Sequence, residues 1–437
     1  MKAFTTPSLL LPASLIVMSC SAAQDTTPSD DPAVAIITAA EGSTVHTNAV
    51  TEAVCGFDHH VDSTGKTDLD FPGSNGNATQ AAMDTAAAVF ANEVEQIADG
   101  LGPLYNAQSC RECHQNPVTG GASQITEFRN GHFDGTNFID PPGGSLQNDR
   151  AIDVSIQPRI AAGQEVRTFR LSLSLMGDGY VEAIDSNTIA NIQAAQPAAQ
   201  RGTLIQVPVL EATGQSRTGR FGWKNQQASL LSFAADAYVN EEGITSPLQP
   251  TERTQTADGR STTSFDTVAD PEDVGGADIN SFALFMRSLK CPPVDATAAA
   301  TAAAQTGSNL FNQIGCATCH VRTITTSPAG TSINGGALTV STSLGDKNIH
   351  PLCDFLLHDV GTGDGIVQNG GQATRTLVRT ACLWGMRGRA RLMHDGENVS
   401  RTDAILRHGN QAQTARNNFA ALSAAQQNNV IDFLNSL

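Results

Sequence analysis

The spacing of apolar positions along the chain predicts three helices, and two of them lead into the same short motif. Residues 80–98 are rich in alanine with apolar side chains at helical spacing, and residues 298–314 repeat this pattern. Each of these two segments precedes a Cys-X-X-Cys-His sequence. A terminal helix is predicted over residues 420–437 by a stripe of apolar side chains: Leu422, Val430, Ile431, Phe433, Leu434 and Leu437.

Between residues 150 and 215 the pattern changes from helical spacing to alternation. Residues 168–174 and 203–210 alternate or carry β-branched side chains, which predicts short strands. The glycine-rich stretches 117–146 and 327–372 predict long loops that surround a bound group. We therefore expect a mainly α protein with long loops and a few short strands in the first domain.

The chain is expected to divide at residues 292–305. Two prolines there are followed by an alanine and threonine run, which suits either a linker or the start of a helix. The division gives an N-terminal domain over residues 36–291 with the first motif and a C-terminal domain over residues 306–437 with the second. A chain of 437 residues is long enough for two such domains.

The first twenty residues are typical of an export signal. Lys2 supplies the positive start, and the apolar run that follows is too short to anchor the chain across a bilayer. Residues 17–20 (VMSC) resemble a bacterial lipobox, which predicts a periplasmic or cell-surface lipoprotein anchored through Cys20. The alternative is an ordinary cleaved signal with an incidental cysteine. Residues 21–35 resemble a flexible tether, and membrane contact is expected only through the lipid.

The charge of the chain narrows the range of partners. Acidic residues give it a formal net charge of −17, and a surface of that sign repels nucleic acid and anionic lipid. Such a surface suits basic redox proteins or neutral small substrates, although it also serves solubility alone. We expect no nucleic-acid partner.

Two Cys-X-X-Cys-His motifs carry the candidate chemistry. Their thiols lie about one helical turn apart, where they can add to the two vinyl groups of one haem, and the histidine then binds the iron. A zinc site would need further cysteine or histidine ligands nearby, and a thioredoxin-type dithiol would need a βαβ setting without duplication. The motifs therefore predict two covalently bound haem c groups, held by Cys110, Cys113 and His114 and by Cys316, Cys319 and His320.

Four of the nine cysteines remain after the two motifs and Cys20 are set aside. In an exported protein they predict two disulfides, for which three pairings are open. We favour Cys55–Cys291 and Cys353–Cys382, because each bond then closes within one predicted domain.

The sixth ligand decides which haem is reactive, and the remaining histidines are its candidates. In the second half these are His350, His358, His394 and His408, and in the first half they are His46, His59, His60 and His132. Each of them is more often a hydrogen-bonding side chain than a ligand, and a haem in the same domain improves the odds of ligation.

Two stretches that follow the motifs resemble copies of one unit. Residues 221–238 (FGWKNQQASLLSFAADAY) align with residues 392–409 (LMHDGENVSRTDAILRHG) when Ser229 is set against Ser400. Trp223 then falls on His394, and Ala237 falls on His408. Because alanine cannot bind iron, this register predicts a second haem with two histidine ligands and a first haem that is open, or loosely capped by Tyr238 or a nearby histidine.

Several segments together resemble the bacterial di-haem oxidoreductases, a family associated with peroxidase activity. They are GLGPLYNAQSCRECHQNPVTGG, GRFGWKNQQASLLSFAADAYVNEEGITSP, CDFLLHDVG, RTACLWG and LMHDGENVSRTDAILRHG, spread from about residue 50 to the C-terminus. The family is similar to di-haem cytochrome c peroxidases and to MauG-type enzymes, and more remotely to rubber-cleaving oxygenases. Two departures are Val360, where the family often has Met, and Glu397-Asn398, where it often has Arg-Ala.

The resemblance implies roles for particular residues. In the peroxidases an N-terminal haem reacts with peroxide and a C-terminal haem receives the electrons. The match to residues 219–243 implies that Trp223 is the aromatic bridge between the haems and that Glu241 is the acid over the reactive iron, with Glu242 as the alternative. It also implies that His408 is the distal ligand of the second haem. A Ca²⁺ ion between the domains, as in some related peroxidases, is a further candidate.

Three functions are therefore open. The first is a peroxidase that reduces hydrogen peroxide at the N-terminal haem with electrons from a small redox protein, a cytochrome c or a cupredoxin. The second is a MauG-like or rubber-oxygenase-like oxidase or oxygenase of an organic or protein substrate. The third is an electron carrier without catalysis. An open first haem favours the first two, whereas two saturated haems favour the third.

Overall fold

The computed structural model describes residue 41 and residues 45–58 and 80–437. The predicted export signal with Cys20, the tether, and the candidate ligands His59 and His60 lie outside the described residues. Within the described ranges, no helix has the length and apolar character that a membrane span requires.

Helices account for more residues than strands in this fold, and several begin at a side-chain cap. Ser423 caps the last helix reciprocally with Gln426, and the Thr301 hydroxyl accepts from the backbone N–H of Ala304. In chain order the helices are α1 Gln80–Asn92, α2 Cys110–Cys113, α3 Asp178–Glu182, α4 Ser186–Ala195, α5 Leu230–Ala237, α6 Ala277–Ser288, α7 Ala296–Ala299, α8 Ala302–Gln313, α9 Arg401–Leu406, α10 Gln413–Ala420 and α11 Ala424–Ser436.

The strands are short and form several small sheets. They are β1 Thr51–Glu52, β2 Leu104–Tyr105, β3 Thr126–Phe133, β4 Phe138–Ile139, β5 Leu146–Gln147, β6 Arg150–Ala151, β7 Val166–Leu171, β8 Gln206–Pro208, β9 Ser216–Thr218, β10 Ile324–Thr325, β11 Ser332–Ile333, β12 Leu338–Thr339, β13 Lys347–Ile349, β14 Leu357–His358 and β15 Val378–Arg379. In the largest sheet β3 pairs antiparallel with β4, β5 and β7. The remaining sheets are β1–β13–β10 and the pairs β2–β6, β8–β9, β11–β12 and β14–β15.

Two hydrophobic clusters position the motifs. Around the first motif, Phe90 of α1 packs on Phe282 and Phe285 of α6 with ring centroids 6.1 and 4.4 Å apart. Around the second, α8 packs on α11, and the two backbones approach so closely that a Cβ on Gly307 would collide with the Asn429 carbonyl. Glycine is therefore required there for sterics rather than for its backbone angles.

The predicted elements are present with shifted ends, but both stretches predicted as long loops contain strands. The helix predicted over 298–314 is divided into α7 and α8, and the terminal helix begins at Ala424. The loop predicted over 117–146 contains β3, the longest strand of the described chain. Its alternation is hidden in the sequence because Glu127 and Arg129 are charged. Arg129 is buried, and it pairs with the half-buried Glu127 at 2.6 Å. Short ladders also occur in the second half, where loops were expected.

The two halves of the chain are joined by backbone pairing. Strand β1, from the first half, pairs in parallel with β13 of the second half. Cys55 and Cys291 form a disulfide, which is the pairing that the sequence favoured. Residues 292–305 run into α7 and α8, so this segment is largely helical, and the division into two haem domains at this point stays a prediction.

Candidate active site

The first motif lies at one wall of a cavity of about 200 Å³ that opens to solvent. Helix α2 carries Cys110 and Cys113 into this wall, and His114 follows at its C-cap. The Nδ1 atom of His114 lies 3.3 Å from the Gly121 carbonyl, and burial lowers the pKa of the imidazole. A neutral ring with Nδ1–H donated to a carbonyl leaves Nε2 as the free lone pair, which is the form that binds a metal.

Glu241 lines the same cavity from a π-helical turn, Tyr238–Glu242, that continues α5. The side-chain amide of Asn106 donates to Glu241 Oε2 at 2.6 Å, and the Asn106 backbone N–H donates to the Glu241 carbonyl at 2.7 Å. Burial and repulsion from Glu127 raise the pKa of Glu241 to about 7, against the opposing effect of the Asn106 hydrogen bond. Its carboxyl group can therefore take up and release a proton near neutral pH.

Glu242, the alternative to Glu241, and Tyr238, the candidate cap of the first iron, also border this cavity, but their polar atoms are engaged. Glu242 accepts a weak hydrogen bond from the Cys110 thiol at 3.4 Å, and burial raises the pKa of Glu242 well above its usual range. The Tyr238 hydroxyl donates to Glu95 at 2.6 Å. Among the described residues that line the cavity, His114 is the only histidine. His46 and His132 lie elsewhere, paired with Asp346 and Glu165.

Buried charges behind the first cavity link it to the second half of the chain. Asp364, whose side chain is fully buried, accepts from Arg170 at 2.8 Å and from Lys224 at 3.1 Å. Arg170 also lies 3.5 Å from Glu127, which in turn pairs with Arg129. Burying these charges is favourable only because each has a partner, so the network holds this side of the cavity in one arrangement.

The second motif borders a separate cavity of about 160 Å³. His320 Nδ1 lies 3.0 Å from the Leu352 carbonyl, so its Nε2 is free. Burial lowers the pKa of His320 to about 4, and the neighbouring His408 adds to this shift although the Leu352 hydrogen bond opposes it. His408 lines the same cavity and bonds through Nδ1 to the Ala404 carbonyl at 2.8 Å, which leaves its Nε2 free as well.

A third histidine in this cavity is tied to a carboxylate. His358 Nε2 lies 2.8 Å from Asp354, and its Nδ1 lies 3.9 Å from the Cys319 sulfur. Burial alone would lower the pKa of His358, but Asp354 and Cys319 raise it to about 10. Asp354 was not foreseen from the sequence, because nothing in its spacing distinguishes it from a surface acid. Asn106 was missed because nothing in its sequence context distinguishes it from a surface amide.

Trp223 borders both cavities, as the bridging role implied by the resemblance requires. It is 6% exposed, and its indole N–H donates to the Leu171 carbonyl at 2.8 Å. The rings of His394 and Trp223 pack in a T-shaped arrangement, with their centroids 6.2 Å apart. The position of Trp223 fits a bridge, and the electron-transfer role itself stays a prediction.

The repeat inferred from the sequence is present in the backbone. Phe221 pairs with Gln227 in one copy, and Leu392 pairs with Asn398 in the other. The second pair follows the first at an offset of 171 residues. Ser229 caps α5 through the N–H of Ser232, and Ser400 caps α9 through the N–H of Asp403 at the equivalent position. Gly222 and Met393, also equivalent, both have a positive φ, of 76° and 67°. Ala237 lines the first cavity where His408 lines the second.

The predicted Cys353–Cys382 disulfide is absent, because both residues are free thiols in the structure. The Cys353 thiol donates to the Thr380 carbonyl at 3.1 Å, and the Arg379 guanidinium lies 3.6 Å from the Cys382 sulfur. Burial acts to raise the pKa of Cys382, but the Cys353 hydrogen bond and Arg379 lower it to about 7. A cation beside the sulfur stabilises a thiolate.

Residues 124–437 match the model of the family described as "Di-haem oxidoreductase, putative peroxidase". The chain belongs to this family. The match begins after the first motif and covers the second motif, both copies of the repeat and Glu241. Among the curated proteins compared, none matches this di-haem oxidoreductase.

Solved structures similar to this oxidoreductase are distant from it. Kuenenia stuttgartiensis hydrazine synthase is 14% identical over 90% of this chain and 98% of its own, with a TM-score of 0.37. A MauG-like protein associated with microbial copper homeostasis is 13% identical over 85% of this chain and 92% of its own, with a TM-score of 0.39. The diheme peroxidase BthA from Burkholderia thailandensis is 11% identical over 68% of this chain and 92% of its own, with a TM-score of 0.30.

The residues of this oxidoreductase fit the two haems that its family name implies. Each of two cavities contains one motif with a half-buried histidine whose lowered pKa keeps the ring neutral. Three side chains that line the second cavity carry a buried polar atom without a hydrogen-bond partner in the described structure: Thr362 Oγ1, His394 Nδ1 and Arg401 Nε. Orphaned polar atoms are rare in native proteins, and an occupant with carboxylate groups would satisfy such donors.

The predicted Ca²⁺ stays a prediction. The described residues contain one group of at least three His, Cys, Asp or Glu side chains with ligand atoms within 4.8 Å of one another, namely Cys319, Asp354 and His358. This group borders the second cavity and contains a single carboxylate, whereas Ca²⁺ prefers several oxygen ligands.

Proposed function

We propose that this di-haem oxidoreductase reduces hydrogen peroxide at the first cavity with electrons delivered through the second. The observation that carries the proposal is the difference between the two copies of the repeat. The first copy presents Ala237 and the ionisable Glu241 to its cavity, whereas the second presents His408. An iron held by His114 would therefore keep a free site beside an acid, and one held by His320 would have a second histidine within reach.

When bound, a haem supplies an iron centre that can bind peroxide and pass electrons one at a time. The overall reaction consumes one hydrogen peroxide, two electrons and two protons, and releases two waters. Glu241 takes a proton from one oxygen of the peroxide and returns it to the other, so that the second oxygen leaves as water. Asn106 holds the carboxylate by its hydrogen bond and keeps it partly ionised at neutral pH.

The remaining expectations complete this proposal. Both haems are attached through thioethers to the cysteines of their motifs, and Trp223 lies on the electron path between them. The donor is a small redox protein such as a cytochrome c or a cupredoxin, and the enzyme works in the periplasm or at the cell surface, anchored through Cys20. Two separate cavities with one motif each support the haem count, and the formal net charge of −17 supports a basic donor.

The test combines spectroscopy with turnover. An EPR spectrum of the oxidised protein is expected to contain one high-spin and one low-spin haem. Under anaerobic conditions, reduced cytochrome c is expected to be oxidised in the ratio of two per hydrogen peroxide added. Two low-spin haems with two nitrogen ligands each would contradict the open first site and favour an electron carrier. Oxygen uptake with an organic substrate, without peroxide-dependent oxidation of the donor, would instead favour an oxidase or oxygenase.

A further inference from the structure

Trp223 and His394 are equivalent residues of the two repeats, and they meet where the two cavities adjoin. Their ring centroids lie 6.2 Å apart with an interplanar angle of 71°. Trp223 borders both cavities, and His394 borders the second. The contact therefore joins equivalent positions of the two repeats.

Backbone hydrogen bonds around this contact also run in both directions between the halves. Leu171 of the first half donates its N–H to the His394 carbonyl at 2.6 Å, and Arg379 of the second half donates its N–H to the Trp223 carbonyl at 2.8 Å. The Trp223 indole then donates to the Leu171 carbonyl at 2.8 Å. These reciprocal bonds hold the two rings in register across the halves.

The two rings differ in how their polar atoms are satisfied. The Trp223 N–H has its carbonyl partner, whereas the buried Nδ1 atom of His394 has no hydrogen-bond partner in the described structure. His394 is 3% exposed, so water is largely excluded as a substitute. Met393, just before it, has the positive φ that its counterpart Gly222 adopts without strain. A strained backbone that presents an unsatisfied buried imidazole to a cavity indicates a binding role for the ring.

The surroundings of His394 indicate an anionic ligand. Arg389 and Arg401 line the same cavity, and the Arg389 guanidinium makes no hydrogen bond within the described residues. A haem in this cavity would bring two carboxylate groups, and both an imidazole N–H and a guanidinium are suitable donors to them.

We propose that His394 is the second member of the bridge between the haem sites. Its imidazole N–H binds a carboxylate of the haem held by Cys316 and Cys319, and its ring edge holds Trp223 against the second cavity. This inference rests on the proposed presence of haem at the second motif. It does not depend on peroxide as the substrate.

Four substitutions separate the two roles. His394→Phe keeps a ring and removes the donor, while His394→Asn and His394→Gln keep an amide N–H within the reach of Nδ1 and Nε2 respectively and remove the ring. His394→Leu removes both. His132, which is exposed and bonded to Glu165, provides the matched controls His132→Phe and His132→Asn. Haem content and the low-spin EPR signal identify folded, loaded protein, and the Phe and amide variants suffice if the Leu variant fails to fold.

The first measurement is the midpoint potential of the low-spin haem in a spectroelectrochemical titration without peroxide. An uncompensated carboxylate favours the ferric state, so the potential is expected to fall in the Phe and Leu variants and to recover in at least one amide variant. The second is the rate of electron transfer between the haems after rapid partial reduction. It is expected to fall about tenfold in the Asn, Gln and Leu variants and less in Phe, because only Phe retains a ring against Trp223.

An unchanged potential in His394→Phe would overturn the carboxylate contact, and unchanged rates in the amide variants would overturn the bridging role. The expected pattern in a protein that fails to reduce peroxide would support this inference and contradict only the proposed function. A preparation with a single haem, at the first motif, would overturn both.

Discussion

Replacing Glu241 by Gln is the sharpest test of the proposed chemistry. The amide keeps the size of the side chain and can still accept from Asn106, which donates to Glu241 Oε2 at 2.6 Å. It cannot accept a proton from peroxide. Positioned acid–base groups contribute about 10²–10⁴-fold to a rate, or about 3–5 kcal/mol of the barrier. We expect kcat/KM for hydrogen peroxide to fall within that range.

The pH dependence gives this prediction a second, independent part. Burial and repulsion from Glu127 raise the pKa of Glu241 to about 7. The active form is the ionised carboxylate, so wild-type activity is expected to rise with pH up to about 7 and to fall about tenfold per unit below it. The Gln variant is expected to lose this decrease in activity below pH 7. Asn106→Leu removes a hydrogen bond that lowers the pKa of Glu241, so it should shift the decrease to higher pH while Glu241 itself is kept.

The assay is peroxide-dependent oxidation of a reduced cytochrome c, followed from pH 5 to pH 9. Glu242→Gln is the matched control, because it is the adjacent acid on the same cavity and its carboxyl faces Cys110. The EPR spectra of all variants should be compared first to confirm that both haems are retained. Full activity in Glu241→Gln with an unchanged pH profile would refute the role of Glu241, and a loss in Glu242→Gln alone would transfer it to the neighbour.

Three further predictions concern the second site and stability. His408→Ala should convert the low-spin haem to a high-spin form in the EPR spectrum; an unaltered low-spin signal would exclude His408 as its ligand. Glu182→Ala should lower the free energy of unfolding in urea by about 3–5 kcal/mol, because Arg287, bonded to Glu182 at 2.7 and 3.0 Å, would be left buried without its partner; a change below 1 kcal/mol would contradict this. Burial acts to raise the pKa of Asp364, but two buried cations lower it to about 2, below the ordinary 3.8. Its ionised form thus adds roughly 2 kcal/mol to the free energy of unfolding above pH 4, and this contribution is lost as the pH falls towards 2. Asp364→Asn should therefore lower the free energy of unfolding at pH 7 and lower it progressively less below pH 4. An equal loss at pH 7 and at pH 2 would contradict this prediction.

The sequence alone was enough to predict the two candidate haem motifs, because that information is local. Two motifs of five residues each specify thiols and a histidine in one helical turn, and no tertiary contact is needed to recognise them. The repeat was also visible, since Ser229 and Ser400 cap helices through the same local hydrogen bond in both copies. Helix positions followed from apolar spacing for the same reason.

What the sequence could not determine depends on residues distant in the chain. Glu241 and Asn106 meet across 135 positions, so neither the hydrogen bond nor the raised pKa of the acid has a local signal. Strand β3 was missed because Glu127 and Arg129 are charged, and the ion pair between them forms only in the folded strand. The Cys353–Cys382 disulfide prediction was wrong, because cysteine spacing alone does not show how two thiols 29 positions apart are placed in the folded chain.

The meeting of Trp223 and His394 is the clearest case of what tertiary structure alone decided. The alignment of the repeat made the two residues equivalent, but equivalence in sequence does not imply contact. Contact arises because the halves exchange backbone hydrogen bonds through Leu171 and Arg379. Local patterns thus determined which groups this oxidoreductase carries, and long-range packing decided which of them face one another, because distance and burial are properties of the folded chain.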